Sequence, residues 1–247
     1  MNFFRPSDPY IVAFPKQLTK EFCEGVISKF NHSMDTYPGH TAGGFTPNIK
    51  QSDDLLITEN ECWRDEDRVF AVALGNGLHK YYKRLEKNRI NYDFQQGLFD
   101  TGYQIQRTCP GGFYDWHSDA CDNRFITFIF YLNDVKKGGY TEFIDGTRIQ
   151  PKAGTLLFFP AGFTYVHRGV APVDQEKYIV TGWLHKELGN HEPVLKSSPR
   201  VQELLDMEKD YVLLKEQTEG PHIGGHIPPE GDVALSYGQS DQNLILE

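Results

Sequence analysis

From residue 100 onward the chain becomes a succession of short segments rich in β-branched and aromatic residues. They are YQIQRT (103–108), FITFIFYLN (125–133), YTEFI (140–144), TLLFF (155–159) and KYIVTGWLH (177–185). Turn formers separate them: Cys109-Pro110-Gly111-Gly112, Gly138-Gly139, Asp145-Gly146 and Pro160-Ala161-Gly162. No helical period intervenes, so a βαβ repeat is excluded and a β-sandwich or barrel is expected.

Helices are expected on either side of this β-core. Residues 19–31 carry Thr19 as an N-cap, with Phe22, Val26, Ile27 and Phe30 at helical spacing. A longer helix is expected from Asp65 to Lys87, with Val69, Phe70, Val72, Ala73, Leu74, Leu78, Tyr81 and Tyr82 on its apolar face; Gly75 and Gly77 weaken it locally. Between them, 33–60 reads as loop with one short strand near Leu55–Thr58. Residues 197–217 read as a C-terminal helix, capped by Ser198 with Pro199 in its first turn, followed by an extended tail. The fold class is therefore a β-rich α+β arrangement in one structural domain. Residues 1–99 form a helical support region, 100–186 the β-core, and 187–247 the C-terminal helix and tail.

Net charge is −9, and no Lys/Arg run is long enough to track a phosphate backbone, so nucleic acid is not an expected partner. No apolar run reaches the length of a membrane span, and the opening MNFFRPSDPYIVAFPKQ lacks the order of a signal peptide. The four cysteines, Cys23, Cys62, Cys109 and Cys121, form no CxxC pair; cytoplasmic residence with reduced thiols is expected. Because Cys109 and Cys121 flank the metal motif described next, a bridge between them stays open.

His117 and Asp119 form an H-x-D pair where a strand should end, and alternate residues of an extended chain point to the same side. His167 follows another strand and turn. Two imidazoles and a carboxylate suit Fe(II) with coordination positions left open. Lys177 begins the strand KYIVTGWLH, in which alternation places Lys177, Ile179, Thr181 and Trp183 on one face and Tyr178, Val180, Gly182 and Leu184 on the other. If that first face is buried, Lys177 needs an anionic partner, and a ligand carboxylate would supply one. If the strand end is exposed, Lys177 faces solvent.

Together these residues resemble the prolyl 4-hydroxylase branch of the Fe(II)/2-oxoglutarate dioxygenases. The resemblance runs from Tyr103 to Leu184 through YQIQRTCPGGFYDWHSD, FITFIFYLND, GGYTEF, RIQPKAGTLLFFPA and HRGVAPVDQEKYIVTGWL, with KQSDDLLI (50–57) as a similar lead-in. It implies a double-stranded β-helix of the jelly-roll or cupin-like kind, with His117, Asp119 and His167 as iron ligands. Lys177 would hold the distal carboxylate of 2-oxoglutarate. Tyr131, Thr141, Thr181, Trp183 and Tyr114 would line the co-substrate pocket, although Tyr131 and Tyr114 read equally well as β-core aromatics. Where many relatives have a Tyr before the Pro/Gly turn, this chain has Thr108 and Cys109.

The implied chemistry uses Fe(II), 2-oxoglutarate and O2, with ascorbate as an accessory reductant, and releases succinate and CO2. The Asp119 carboxylate points to hydroxylation, because related halogenases have a small residue there. A prolyl residue in a peptide or protein is the leading substrate, and a free amino acid or other small molecule is the alternative. Segments 33–50 and 187–247 could shape a peptide groove or cover the pocket, or be ordinary surface loops. Two other readings remain: a cupin-type enzyme using Mn or Zn without 2-oxoglutarate, and a β-sandwich binding module. The C-terminal helix could pair with a second copy or pack on its own core, so the oligomeric state is open.

Overall fold

The computed structural model describes residues 8–90, 97–121 and 123–186. The C-terminal helix and tail expected over 187–247 lie outside the described residues. Among these, β1 (Val12–Phe14) is followed by α1 (Lys20–Asn31), β2 (Tyr37–Pro38) and β3 (Asp53–Leu56). A 3-10 turn, Glu61–Trp63, leads into α2 (Arg64–Lys87). The β-core then comprises β4 (Leu98–Asp100), β5 (Gln104–Thr108), β6 (Tyr114–His117), β7 (Arg124–Tyr131), β8 (Thr141–Phe143), β9 (Arg148–Ile149), β10 (Thr155–Pro160), β11 (His167–Gly169) and β12 (Lys177–Lys186).

The strands form two antiparallel sheets. The major sheet runs β1-β10-β7-β12-β5-β3-β2, with β4 also paired to β12; the minor sheet runs β6-β11-β8-β9. This is the expected double-stranded β-helix, with both helices on the outer side of the major sheet. Each long strand of that sheet divides its residues by period 2. Phe128 and Phe130 of β7, Leu156 and Phe158 of β10, and Tyr178, Val180 and Leu184 of β12 face the helices. Ile129, Tyr131, Leu157, Phe159 and Ile179 form a second, smaller cluster between the sheets, with Phe143 of β8 opposite. Burial on both faces explains why FITFIFYLN reads as a nearly unbroken apolar run.

The helices begin and pack as their sequences imply. Thr19 caps α1 by accepting a hydrogen bond from the Phe22 backbone N–H at 3.2 Å. Cys23, Val26 and Phe30 form the buried stripe of α1. Phe70 of α2 meets Phe22, Tyr103 and Phe130 at ring-centroid distances of 5.4, 5.7 and 5.4 Å. Gly77, which weakened the helical signal, is where α2 approaches β10. A Cβ there would lie 2.3 Å from Leu156 Cδ2 and 3.2 Å from Phe158 Cε2, so close packing is what requires glycine.

The expected strands are all present within a residue or two. Added to them are β1, β2, β4, β9 and β11, whose two or three residues are too few to show a period. Asp53–Leu56 pairs with β5 slightly ahead of the expected 55–58.

Candidate active site

Strand pairing brings the three metal-ligand types together. β11 lies antiparallel to β6 and sets His167 directly opposite His117, while Asp119 follows just past the end of β6. The two imidazole centroids are 4.2 Å apart. One ligand atom from each of His117, Asp119 and His167 lies within 4.8 Å of the other two. Asp119 Oδ1 is 3.8 Å from His117 Nε2, and its Oδ2 is 3.7 Å from His167 Nε2. These separations are too long for hydrogen bonds and leave a gap that a cation would close.

Each imidazole is oriented by its own backbone. Nδ1 of His117 lies 2.8 Å from the Asp115 carbonyl oxygen, and Nδ1 of His167 lies 3.0 Å from that of Tyr165. An Nδ1–H donated to a carbonyl leaves the Nε2 lone pair for the ion. Tyr114 stacks flat on His117, with centroids 3.6 Å apart and planes 10° from parallel. Phe159 packs edge-on against His167 at 4.7 Å.

Electrostatics prepare the same groups for a metal. Burial, and then repulsion from His167, push the His117 imidazole down to about 4, so it is neutral near physiological pH. Burial works against the Asp119 carboxylate. It is outweighed by attraction to His167 and His117 and by a hydrogen bond from Thr127, which together hold that carboxyl below its usual range. Thr127 Oγ1 donates to Asp119 Oδ2 at 2.8 Å.

A cavity of about 830 Å³ lies between the sheets, and the three ligands form part of its wall. Lys177, Ile179, Thr181 and Trp183 all line it, as alternation along β12 requires. Lys177 is 4% exposed, directly opposite Thr108 of β5, and burial pushes its ammonium down to about 8. Its Nζ lies beside Gly169, where a Cβ would come within 3.5 Å of it. Among the described residues it has no carboxylate partner. An ammonium buried this far calls for an anionic partner, and a ligand carboxylate in the cavity would supply one.

The remaining expected pocket residues divide. Thr141 and Tyr114 line the cavity. Tyr131 belongs instead to the small inter-sheet core: it is fully buried, and its hydroxyl shares a 2.7 Å hydrogen bond with Thr141 Oγ1. It stands behind Thr141, beside Ile179 of the neighbouring strand, and the cavity is lined by Thr141 and Ile179 in its place. The Thr181 hydroxyl donates to the Phe128 carbonyl at 3.0 Å. The Trp183 ring carries the Arg124 guanidinium 3.6 Å from its centroid. No disulfide joins Cys109 to Cys121.

Several wall residues escaped the sequence reading. Thr127 sits at an inward position of an apolar strand, and a lone hydroxyl at that period was the available signal. Lys50 and Asp54, both buried, form an ion pair at 2.5 Å, and Lys50 Nζ also donates to the His40 carbonyl. The Lys50 ammonium lies 5.4 Å from the Tyr114 ring centroid. Gln106 Nε2 donates to Gln104 Oε1, and Gln104 Nε2 donates to the Tyr37 hydroxyl, giving the wall a run of polar, uncharged groups.

The donor set therefore fits Fe(II), with two imidazoles whose Nε2 atoms face the gap, one buried carboxylate and a counter-charge for a dicarboxylate in the same cavity. Comparison with known proteins agrees. Residues 103–185 match the 2OG-Fe(II) oxygenase superfamily. Prolyl 4-hydroxylase 13 of Arabidopsis thaliana is 23% identical over 209 residues, covering 73% of this chain and 72% of that protein. Prolyl 4-hydroxylase subunit alpha-1 of Gallus gallus is 35% identical over 104 residues, which span 34% of this chain and only 20% of that subunit.

Solved structures share the fold. A Pseudomonas putida prolyl-4-hydroxylase superposes with a TM-score of 0.55 at 20% identity, over 72% of this chain and 93% of that one. A Trichoplax adhaerens prolyl hydroxylase, in complex with a hypoxia inducible factor peptide fragment, gives 0.59 at 17% identity, over 72% and 84%. A viral collagen prolyl hydroxylase from Paramecium bursaria Chlorella virus-1, in complex with 2OG, gives 0.52 at 21% identity, over 72% and 97%.

Proposed function

We propose that this chain, whose residues 103–185 match the 2OG-Fe(II) oxygenase superfamily, is an oxygenase of that kind that hydroxylates a prolyl residue in a peptide or protein. The observation that carries this reading is the convergence of His117, Asp119 and His167 on one cavity with Lys177, a buried cation that has no counter-ion among the described residues. When bound, Fe(II) and 2-oxoglutarate supply the reductive activation of O2, with succinate and CO2 released and one oxygen atom inserted into a C–H bond.

The protein's own contribution is binding, orientation and exclusion of water. His117 and His167 hold the metal through Nε2 because their Nδ1 atoms are committed to backbone carbonyls. Lys177 neutralises the far carboxylate of the co-substrate in a setting where an ion pair is worth several-fold more than in water. Ile129 and Ile179 add apolar surface to the cavity wall. Along the same sheet, Gln104 and Gln106 of β5 and Tyr37 of β2 offer amide and hydroxyl groups suited to the backbone of an extended peptide. The prolyl hydroxylase relatives, one of them solved with a peptide bound, favour a peptide over a free small molecule. Cytoplasmic residence is part of the same proposal, in keeping with four cysteines that form no disulfide among the described residues.

The test is anaerobic titration of the Fe(II)-loaded protein with 2-oxoglutarate, followed by the weak visible charge-transfer band of an iron-chelated keto acid. Succinate release is then measured with prolyl peptides and with free amino acids. A band, together with succinate release stimulated by prolyl peptides alone, supports the proposal. A band with stimulation by free amino acids transfers the activity to small molecules, and the absence of a band overturns the co-substrate assignment.

A further inference from the structure

The two oxygens of Asp119 are in different situations. Oδ2 accepts the Thr127 hydroxyl at 2.8 Å, whereas Oδ1 accepts no hydrogen bond among the described residues. Thr127 is 1% exposed, and Asp119 is the one hydrogen-bond partner of its side chain among the described residues. A buried hydroxyl must donate somewhere, and a β-branched side chain on a strand has little freedom to turn away. Pairing fixes its place further, with Trp183 of β12 on one side and Phe159 of β10 on the other. The hydroxyl therefore holds one carboxylate oxygen and makes it the weaker electron donor, leaving Oδ1 as the better ligand.

We propose that Thr127 is a positioning residue that restricts Asp119 to a single metal-binding oxygen, and so keeps a coordination position open for O2. This rests on the functional reading above. A six-coordinate ion with three single-atom protein ligands has three positions left; a chelating keto acid takes two and O2 the third. If Asp119 bound through both oxygens, it would occupy the position that O2 needs. Thr127 acts through Asp119 and has no contact of its own with the ion.

The experiment compares wild type with Thr127→Val, a near-isostere lacking the donor, and with Thr127→Ser, which restores it. Three quantities are read: Co(II) affinity with its visible spectrum, the 2-oxoglutarate titration of the Fe(II) form, and succinate release. In Thr127→Val, Co(II) binding is expected to be as tight as in wild type or tighter, with an altered spectrum. Co-substrate-dependent turnover should fall by about 10–100-fold, the range for outer-shell partners of metal ligands. Thr127→Ser should return both readouts toward wild type.

A Thr127→Val protein with wild-type spectrum and turnover overturns the inference. So does one whose metal affinity falls in step with turnover, because Thr127 would then merely support the carboxylate. If Thr127→Val fails to fold, Thr127→Ala gives the same readouts without the added methyl. If the wild type shows no 2-oxoglutarate band, the functional reading fails, while the Co(II) comparison still decides how many oxygens Asp119 supplies.

Discussion

The two faces of β12 show how this fold separates stability from chemistry. Toward the helices, Tyr178, Val180 and Leu184 join a large apolar cluster with Phe128, Phe130, Leu156 and Phe158. Toward the cavity, Lys177, Thr181 and Trp183 interrupt the apolar lining, and only Ile179 belongs to the smaller cluster. The same ten residues thus supply a stabilising face and a face that holds a destabilising charge. Residues in the second set are retained for what they bind, so substitutions on the two faces should differ in kind as well as in size.

The largest effect is expected from His167→Ala. It removes one of three ligands, so the 2-oxoglutarate charge-transfer band and succinate release should fall to background. Urea unfolding of the metal-free protein should change little, since His167 lies outside the large core. Next comes Phe128→Ala on the helix-facing side, expected to cost about 3–5 kcal/mol in stability by urea unfolding. Any protein that remains folded should keep its 2-oxoglutarate affinity. Reversal of these two outcomes would erase the division between faces.

Lys177→Met should separate the faces most clearly. The Lys177 ammonium is depressed from 10.5 to about 8, which corresponds to about 3 kcal/mol of unfavourable burial when it is charged. Because the folded value lies below the unfolded one, this destabilisation is complete below pH 8 and is relieved as pH rises from 8 toward 10.5. Lys177→Met should therefore be more stable than wild type at pH 7 by thermal unfolding, while binding 2-oxoglutarate far more weakly. Loss of stability in this variant would mean that the ammonium has a counter-charge in the free protein.

A smaller effect follows from the same group. 2-Oxoglutarate favours the charged ammonium, so its affinity should be flat below pH 8 and decline above it, by up to about tenfold per pH unit. Calorimetry in buffers of different ionisation heat should detect proton uptake on binding above pH 8. An affinity independent of pH from 7 to 9.5 would remove Lys177 as the carboxylate partner.

Local patterns determined much of this protein. The helices, the long strands and the inward face of β12 follow from periodicity, because a strand that is buried on one side must alternate and a packed helix must present a stripe. The H-x-D pair was legible for the same reason, as was the inward position of Lys177. Lys177 could be assigned a ligand once its burial was known, and that required the tertiary structure.

Other features depended on which strands met. His167 is fifty residues from His117, and only the pairing of β11 with β6 places them opposite one another. Thr127 gained its partner because β7 lies in one sheet and Asp119 follows a strand of the other, which faces it. Tyr131 and Thr141 are both inward, yet only Thr141 reaches the cavity, because depth between the sheets is set by their separation and not by strand period. Sequence determined the side of the strand on which each residue lies, since that is a local consequence of backbone geometry. The tertiary structure decided what each residue meets there, since register between distant strands and spacing between sheets are properties of the assembled core.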